Sequence, residues 1–190
     1  MKVTKAQAQE NREHIVKTAS VLFRERGYDG VGIAELMSTA GFTHGGFYKH
    51  FKSKADLMAE AAAYSFTQSN AQMADFDIVS FVQKYLSKEH RDGPGNGCTM
   101  AALCADAGRQ SEPLKEAFLT GIENQLASLS NGVEINTEER KARINAIAHA
   151  VGALVLSRSC PDDSLLAEEI LDVCREEILA KLTTKIAGVE

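Results

Sequence analysis

The sequence predicts an all-α protein, and three observations predict it. Apolar residues recur at helical spacing along nearly the whole chain, no stretch alternates apolar and polar residues as a half-buried strand does, and only three prolines interrupt 190 residues. Glycines and capping residues fall where the periodic segments end. With 44% apolar and 25% charged residues, the chain has an ordinary globular composition and enough length for one large domain or two small ones.

Ile15, Ala19, Leu22 and Phe23 fall on one helical face, and that helix stops at Gly27. Tyr28 to Gly32 reads as a turn, Ile33 to Ala40 as a short second helix closed by Gly41. Thr43 is placed to cap a third helix running to about His50. Ser53 caps a fourth, with Asp56 completing a box-like start, and the Ala- and Leu-rich KADLMAEAAAYSF run favours length. Asp77 to Ser87 reads as helical, and the glycines and proline of His90 to Gly97 as a loop. Cys98 to Arg109 and Glu112 to Ser130 form two further helices, the second broken by Asn131 and Gly132. Asn136 or Thr137 starts a helix with Ile144, Ile147, Ala148, Val151, Leu154 and Val155 on one face. Pro161 and Asp162 open the last helix, whose face is Leu166, Ile170, Val173, Cys174, Ile178 and Leu182.

Several classes fall away. No run approaches the roughly 18 apolar residues of a membrane span, and the polar start, Met1 to Asn11, lacks a secretory core. A cytoplasmic protein with no membrane association is expected. Cys98, Cys104, Cys160 and Cys174 are too few and scattered for a disulfide framework and suit a reducing compartment. Tryptophan is absent, which argues against an aromatic-lined sugar or base site. His90, Cys98 and Cys104 have irregular spacing for zinc, and GPGNG lacks the strand context of a dinucleotide loop. No cofactor, no metal and no catalytic constellation is implied, so the chain is not expected to be an enzyme.

The net charge is −5, but it is unevenly spread. Residues 1–55 carry nine Lys/Arg against five Asp/Glu, whereas residues 56–190 carry twelve against twenty-one. A basic end on an acidic body suits a chain that meets phosphate at that end. The two short helices around Gly41 have helix-turn-helix spacing, with Leu36, Phe42 and Phe47 to lock them onto the first helix. The second would present Thr43, His44, Gly45, Gly46, Tyr48 and Lys49 to a major groove. Gly45 and Gly46 let the backbone approach base edges. Tyr48, Lys49, His50, Lys52 and Lys54 cluster where the sugar-phosphate backbone would pass, and the helix start near Lys54 offers amides to a phosphate.

Gly27-Tyr28, Gly41-Phe42-Thr43, Phe47-Tyr48-Lys49-His50-Phe51, Ser53-Lys54 and Leu57 together resemble the DNA-binding signature of TetR/AcrR-family regulators over roughly residues 10–60. The resemblance implies an N-terminal three-helix bundle with a helix-turn-helix (1–52), followed by a larger helical ligand-binding and dimerisation domain (53–190). It implies phosphate contacts from Thr43, Tyr48 and Lys54, with His44, Gly45 and Lys49 over bases. It also implies a transcriptional repressor that binds double-stranded DNA. Two departures stand out: Val31 and Gly32 replace a common hydroxyl at the start of the second helix, and His44 replaces a frequent lysine or arginine.

The two C-terminal helices suit a homodimer, with Ile144, Ile147, Val151, Leu154, Leu166, Ile170, Val173 and Ile178 at the interface. Two readers about 34–36 Å apart would require a near-palindromic operator. Between reader and dimer helices, Phe66, Met73, Phe76, Phe81, Tyr85, Met100, Leu103, Phe118 and Ile122 are apolar core. Of these, Phe66, Phe81, Tyr85, Met100, Leu103 and Phe118 are candidates to line an unknown small-molecule effector. Cys98 follows GPGNG and opens a helix, where the dipole favours thiolate, with Lys88, His90 and Arg91 nearby in sequence. It is a candidate redox sensor or a small packing residue; Cys104, Cys160 and Cys174 fit buried faces. The alternative classes are a helical enzyme or a protein–protein adaptor, and salt-dependent binding to promoter DNA separates them from a regulator.

Overall fold

The computed structural model describes residues 4–73, 78–128 and 136–187, and among these there is no strand. The chain divides into two compact units, each built from two separated stretches: residues 1–69 with 98–123, and 70–97 with 124–190.

In the first unit, α1 (Lys5–Arg26) starts at Thr4, whose side chain accepts from the Gln7 N–H at 3.2 Å. It ends at Gly27, whose φ of 74° lets its N–H turn back to the Phe23 carbonyl. α2 (Ile33–Thr39) ends in a tight reversal at Gly41, φ 80°. There the Gly41 N–H bonds to Ser38 and the Phe42 N–H to Met37, the paired closure of a Schellman cap. Gly41 is thus the sharp corner its position in the sequence implied. The next segment, His44–Lys49, is a 3₁₀ turn rather than an α-helix, and Thr43 precedes it without a side-chain capping bond. Six residues containing Gly45 and Gly46 have little α-helical propensity and settle into the tighter form.

α3 (Lys54–Met73) begins as its sequence predicted, with the Asp56 N–H on Ser53 Oγ; the Asp56 carboxylate reaches back to the Lys52 N–H instead of to Ser53. α6 (Thr99–Ala107) and α7 (Glu112–Ser128) complete the unit, the last residues of α7 passing into the second; the labels α4 and α5 are given to two helices of that second unit. Ile15, Phe23, Tyr28, Val31, Leu36, Met37, Phe47, Leu57 and Leu114 are fully buried. α7 carries Gly121, where a Cβ would stand 2.3 Å from the Phe66 ring of α3. Only glycine lets those helices approach so closely.

The second unit holds α4 (Ile78–Tyr85), α5 (Lys88–Asp92), α8 (Thr137–Arg158) and α9 (Leu165–Ala187). The segment read as a loop from His90 to Gly97 is partly helical. Ser87 caps α5 through the His90 N–H, and Pro94–Asn96 form a 3₁₀ turn. Asn136 and Glu139 close a capping box on α8. α9 starts at Leu165, not Pro161, because Pro161 to Ser164 is used in a turn closed by the Ser164 N–H on Pro161 O. α8 and α9 pack together through buried Ala153, Leu154, Ala167, Leu171 and Ile178, and Ser157 donates to the Ala167 carbonyl at 2.7 Å. α5 is fastened to this pair: Arg158 donates to the His90 and Arg91 carbonyls, Arg91 to Asp162 O, and Lys88 pairs with Glu168.

Candidate nucleic-acid interface

The reader segment has one buried anchor and one open face. Phe47 is fully buried and packs on Phe51 at 5.5 Å. Tyr48, the next residue, stands edge-on against Phe47 and is 65% exposed. An aromatic ring so exposed has no role in this chain's own core. Thr43, His44, Gly45, Lys49 and Lys52 are also exposed, while Gly46, His50 and Lys54 are half-buried. A side chain at Gly45 would meet nothing within 4 Å, and one at Gly46 only Met37 and Thr43 at ordinary contact. Neither glycine has a positive φ, so the fold itself makes no demand for glycine at either place.

His50 ends the reader between the rings of Phe42 and Phe51. Burial, then the Arg12 and Lys49 cations, hold its pKa below the ordinary histidine value. The Arg12 Nε donates to the His50 carbonyl at 3.3 Å, its guanidinium lies 4.7 Å over the Phe51 ring, and both terminal nitrogens engage Glu60 of α3. Arg12 therefore ties α1, the end of the reader and α3 together. Sequence reading missed it: an arginine on an exposed helix turn and a glutamate 48 residues later carry no local signal.

Lys54 stands at the head of α3 and is half-buried. Its Nζ donates to the Tyr28 carbonyl at 2.5 Å and lies 6.0 Å from the Phe23 ring. At the start of α2, Gly32 makes no side-chain cap, and Val31 is fully buried instead of polar.

Cys98 is the N-cap of α6 and 9% exposed. The sequence neighbours proposed as its cations are engaged in the second unit: Lys88 with Glu168, His90 Nδ1 with Tyr85 O at 2.6 Å, Arg91 with Asp92 and Asp162. Within the first unit, Cys98 interacts electrostatically with Arg24 of α1. Burial lowers the Arg24 pKa and Cys98 is the first influence raising it. The other cysteines are not buried: Cys104 is exposed, Cys160 and Cys174 intermediate.

The effector candidates divide between the units. Phe66, Met100, Leu103 and Phe118 are buried in the first, with Phe66 and Phe118 edge to face at 5.3 Å. Phe81 and Tyr85 belong to the second, ring centroids 5.4 Å apart. Ile122 is half-buried, the side chain of Met73 is not described, and Phe76 lies outside the described residues. Of the dimer candidates, Leu154 and Ile178 are taken up in the second unit's own core, and Ile147, Val151 and Ile170 are half-buried. Ile144, Leu166 and Val173 are open, joined by Val155 from the same α8 face and by Leu156 and Leu165, which lie on neither expected face. Among the described residues no cluster of His, Cys, Asp and Glu has the makings of a metal site, and no helix is long and apolar enough to cross a membrane.

Comparison with known proteins agrees with this geometry. The family model described as bacterial regulatory proteins, tetR family, matches residues 15–61. The chain is 31% identical over 139 residues to the HTH-type transcriptional repressor NemR of Escherichia coli strain K12, covering 68% of this chain and 70% of that protein. The crystal structure of reduced E. coli NemR superimposes with a TM-score of 0.74 at 21% identity, over 89% of this chain and 95% of that one. AibR, solved with isovaleryl coenzyme A and operator DNA, shares the fold at a TM-score of 0.53 and 17% identity, over 88% of this chain and 97% of that one. The buried Phe47 anchor, the open reader face and these likenesses lead to one conclusion: the chain is a DNA-binding transcriptional regulator of the TetR family.

Proposed function

We propose that this regulator is a cytoplasmic repressor that sits on a near-palindromic operator as a homodimer and leaves it when an effector acts on the helical body. The observation that carries the reading is the reader itself: a side chain locked in the core at Phe47, followed by Tyr48 65% exposed and preceded by Gly45, where an added Cβ would meet nothing within 4 Å. Residues 1–52 form the DNA-contacting part in this reading and residues 53–190 the body. Thr43, Tyr48, Lys49 and Lys52 face the backbone, and His44, Gly45 and Gly46 face base edges. Lys54 acts from the head of α3, where helix amides favour a phosphate.

The outward apolar residues Ile144, Val155, Leu156, Leu165, Leu166 and Val173 on α8 and α9 supply the face for a second copy. For the effector, two chemistries are supported by separate observations. Phe66, Met100, Leu103 and Phe118 give an apolar setting for a small molecule. The Cys98 thiol opens a helix and interacts electrostatically with Arg24, a setting in which an oxidant or electrophile can engage a thiol. Both the likeness to NemR, a named repressor solved in a reduced form, and that to AibR, solved with an acyl-coenzyme A, are compatible with release by an effector.

Fluorescence anisotropy of the protein on its own upstream DNA, across several salt concentrations, tests the reading. Tight binding that weakens steeply with salt and is lost in Tyr48→Ala, Lys49→Ala supports it. Binding neither to that DNA nor to any sequence selected from random DNA refutes it. A thiol-specific electrophile that releases wild type but not Cys98→Ser identifies the cysteine route.

A further inference from the structure

Tyr28 lies at the junction between α1 and α2, and three elements meet at its backbone. Its ring is fully buried and packs on Phe23 at 5.1 Å. Its carbonyl accepts from Lys54, the first residue of the helix that follows the reader. Its N–H donates to Asp106 Oδ2 of α6 at 3.3 Å. Asp106 is thus a hydrogen-bond partner that comes from outside the reader's own sequence.

The fit is specific on the other side as well. A Cβ at Gly27 would stand 2.7 Å from Asp106 Oδ2, and Gly27 has a φ of 74°. Glycine therefore serves both the turn and the approach of the carboxylate. Asp106 also meets Arg109, but that arginine side chain is 69% exposed, so the ion pair contributes little. The bond to the Tyr28 amide, with a charged acceptor at the edge of a buried residue, is the stronger of the two.

We propose that Asp106 is a positioning residue for DNA binding, acting through the Tyr28 backbone on the placement of α2 and Lys54. The proposal rests on the DNA-binding reading above. When Asp106 holds the Tyr28 N–H, the turn after α1 is fixed, and with it the Tyr28 carbonyl that seats Lys54. Without that acceptor the buried amide is left unmatched and the turn relaxes, so α2 and the head of α3 lose their common reference point.

The test compares wild type, Asp106→Ala, Asp106→Ser, Asp106→Asn and Arg109→Ala as full-length proteins on the wild-type operator. Wild-type binding establishes the DNA-binding reading independently of the variants. Asp106→Ala is expected to bind roughly tenfold more weakly, the scale of one missing charge-assisted bond. Its slope of log affinity against log salt should fall by about one, as when Lys54 no longer meets its phosphate; a smaller folded fraction alone would leave the slope unchanged. Faster hydrogen exchange at the Tyr28 amide should accompany both. Asp106→Asn keeps an acceptor oxygen and should stay within about threefold of wild type, as should Arg109→Ala. If Asp106→Ala does not fold, Asp106→Ser, polar but too short to reach the amide, must show the same losses. Wild-type affinity and salt slope in the variants without an acceptor, equal losses in Asn and Ala, or the same loss in Arg109→Ala overturns the proposal.

Discussion

Arg12 of α1 grips Glu60 of α3 with both terminal nitrogens while its Nε holds the His50 carbonyl at 3.3 Å. The reader's last residue is thereby pinned to the two long helices that flank it. The pair is about one-third exposed on each side, so its worth to overall stability is small, on the order of 1 kcal/mol or less.

Its worth to DNA binding should be larger than that. Arg12→Ala is expected to lower the melting temperature by only a few degrees but to weaken operator affinity about five- to tenfold. Arg12→Lys should recover only part of the affinity, because an ammonium cannot serve Glu60 and the His50 carbonyl together in a planar fork. Calorimetry and anisotropy on the same samples separate the two effects.

Gly45 gives a cleaner division. Gly45→Ala meets no atom within 4 Å in this chain and should raise thermal stability slightly, about 0.4–1 kcal/mol, by restricting the unfolded chain. The same methyl points where base edges would lie, so operator affinity should fall by tenfold or more. A variant that gains stability and keeps full affinity would remove Gly45 from the interface.

Gly121 and Gly152 form a contrasting pair. Gly121→Ala drives a methyl into the Phe66 ring, 2.3 Å from its nearest atoms, and should cost about 1–3 kcal/mol by overpacking. Gly152, within α8, has nothing within 4 Å of its added Cβ. Gly152→Ala should therefore favour the isolated helix by about 0.5–1 kcal/mol. If a second copy crosses α8 there, the same change will instead weaken the dimer. Denaturant titrations at two protein concentrations distinguish these outcomes.

Stability should also depend on pH through His90. Burial, and then the Arg158 and Lys84 cations, hold its pKa below the ordinary value near 6.5, although its bond to the Tyr85 carbonyl pulls the other way. As pH falls, the unfolded chain takes up this proton first. Stability should thus be full above about pH 7, decline as pH drops through about 6.5, and level off once the folded histidine is also charged. His90→Gln should flatten that part of a thermal-unfolding profile taken from about pH 7.5 to 5.

Much of this protein was readable one residue after another. Gly27, Gly41, Ser53 and Asn136 marked true helix ends, because caps and left-handed glycines depend on local backbone geometry. The reader was legible for the same reason: its glycines, aromatic residues and lysines lie close together in the chain. What escaped was set by distant partners. The three remaining cysteines looked like core because they sit on apolar helical faces, yet none is buried. Lys54 was legible as a cation at a helix head, but its bond to the Tyr28 carbonyl, 26 residues away, was not. Leu154 and Ile178 shared a helical period with the outward residues, and only the packing of α8 on α9 decided which side each faced. Cys98 was recognised by its helix start, but Arg24, whose charge interacts with it, lies far earlier in the chain.

The first compact unit is assembled from residues 1–69 and 98–123, which has a consequence for biosynthesis. A ribosome delivers Tyr28 long before Asp106 and Phe66 long before Gly121. The reader's helices can form as they emerge, but their final setting must wait until α6 and α7 have left the exit tunnel. A nascent chain arrested before that point would carry a recognisable DNA-reading motif whose turn after α1 is not yet held. On the DNA-binding reading, such a partial chain is expected to hold the operator less well than the complete regulator.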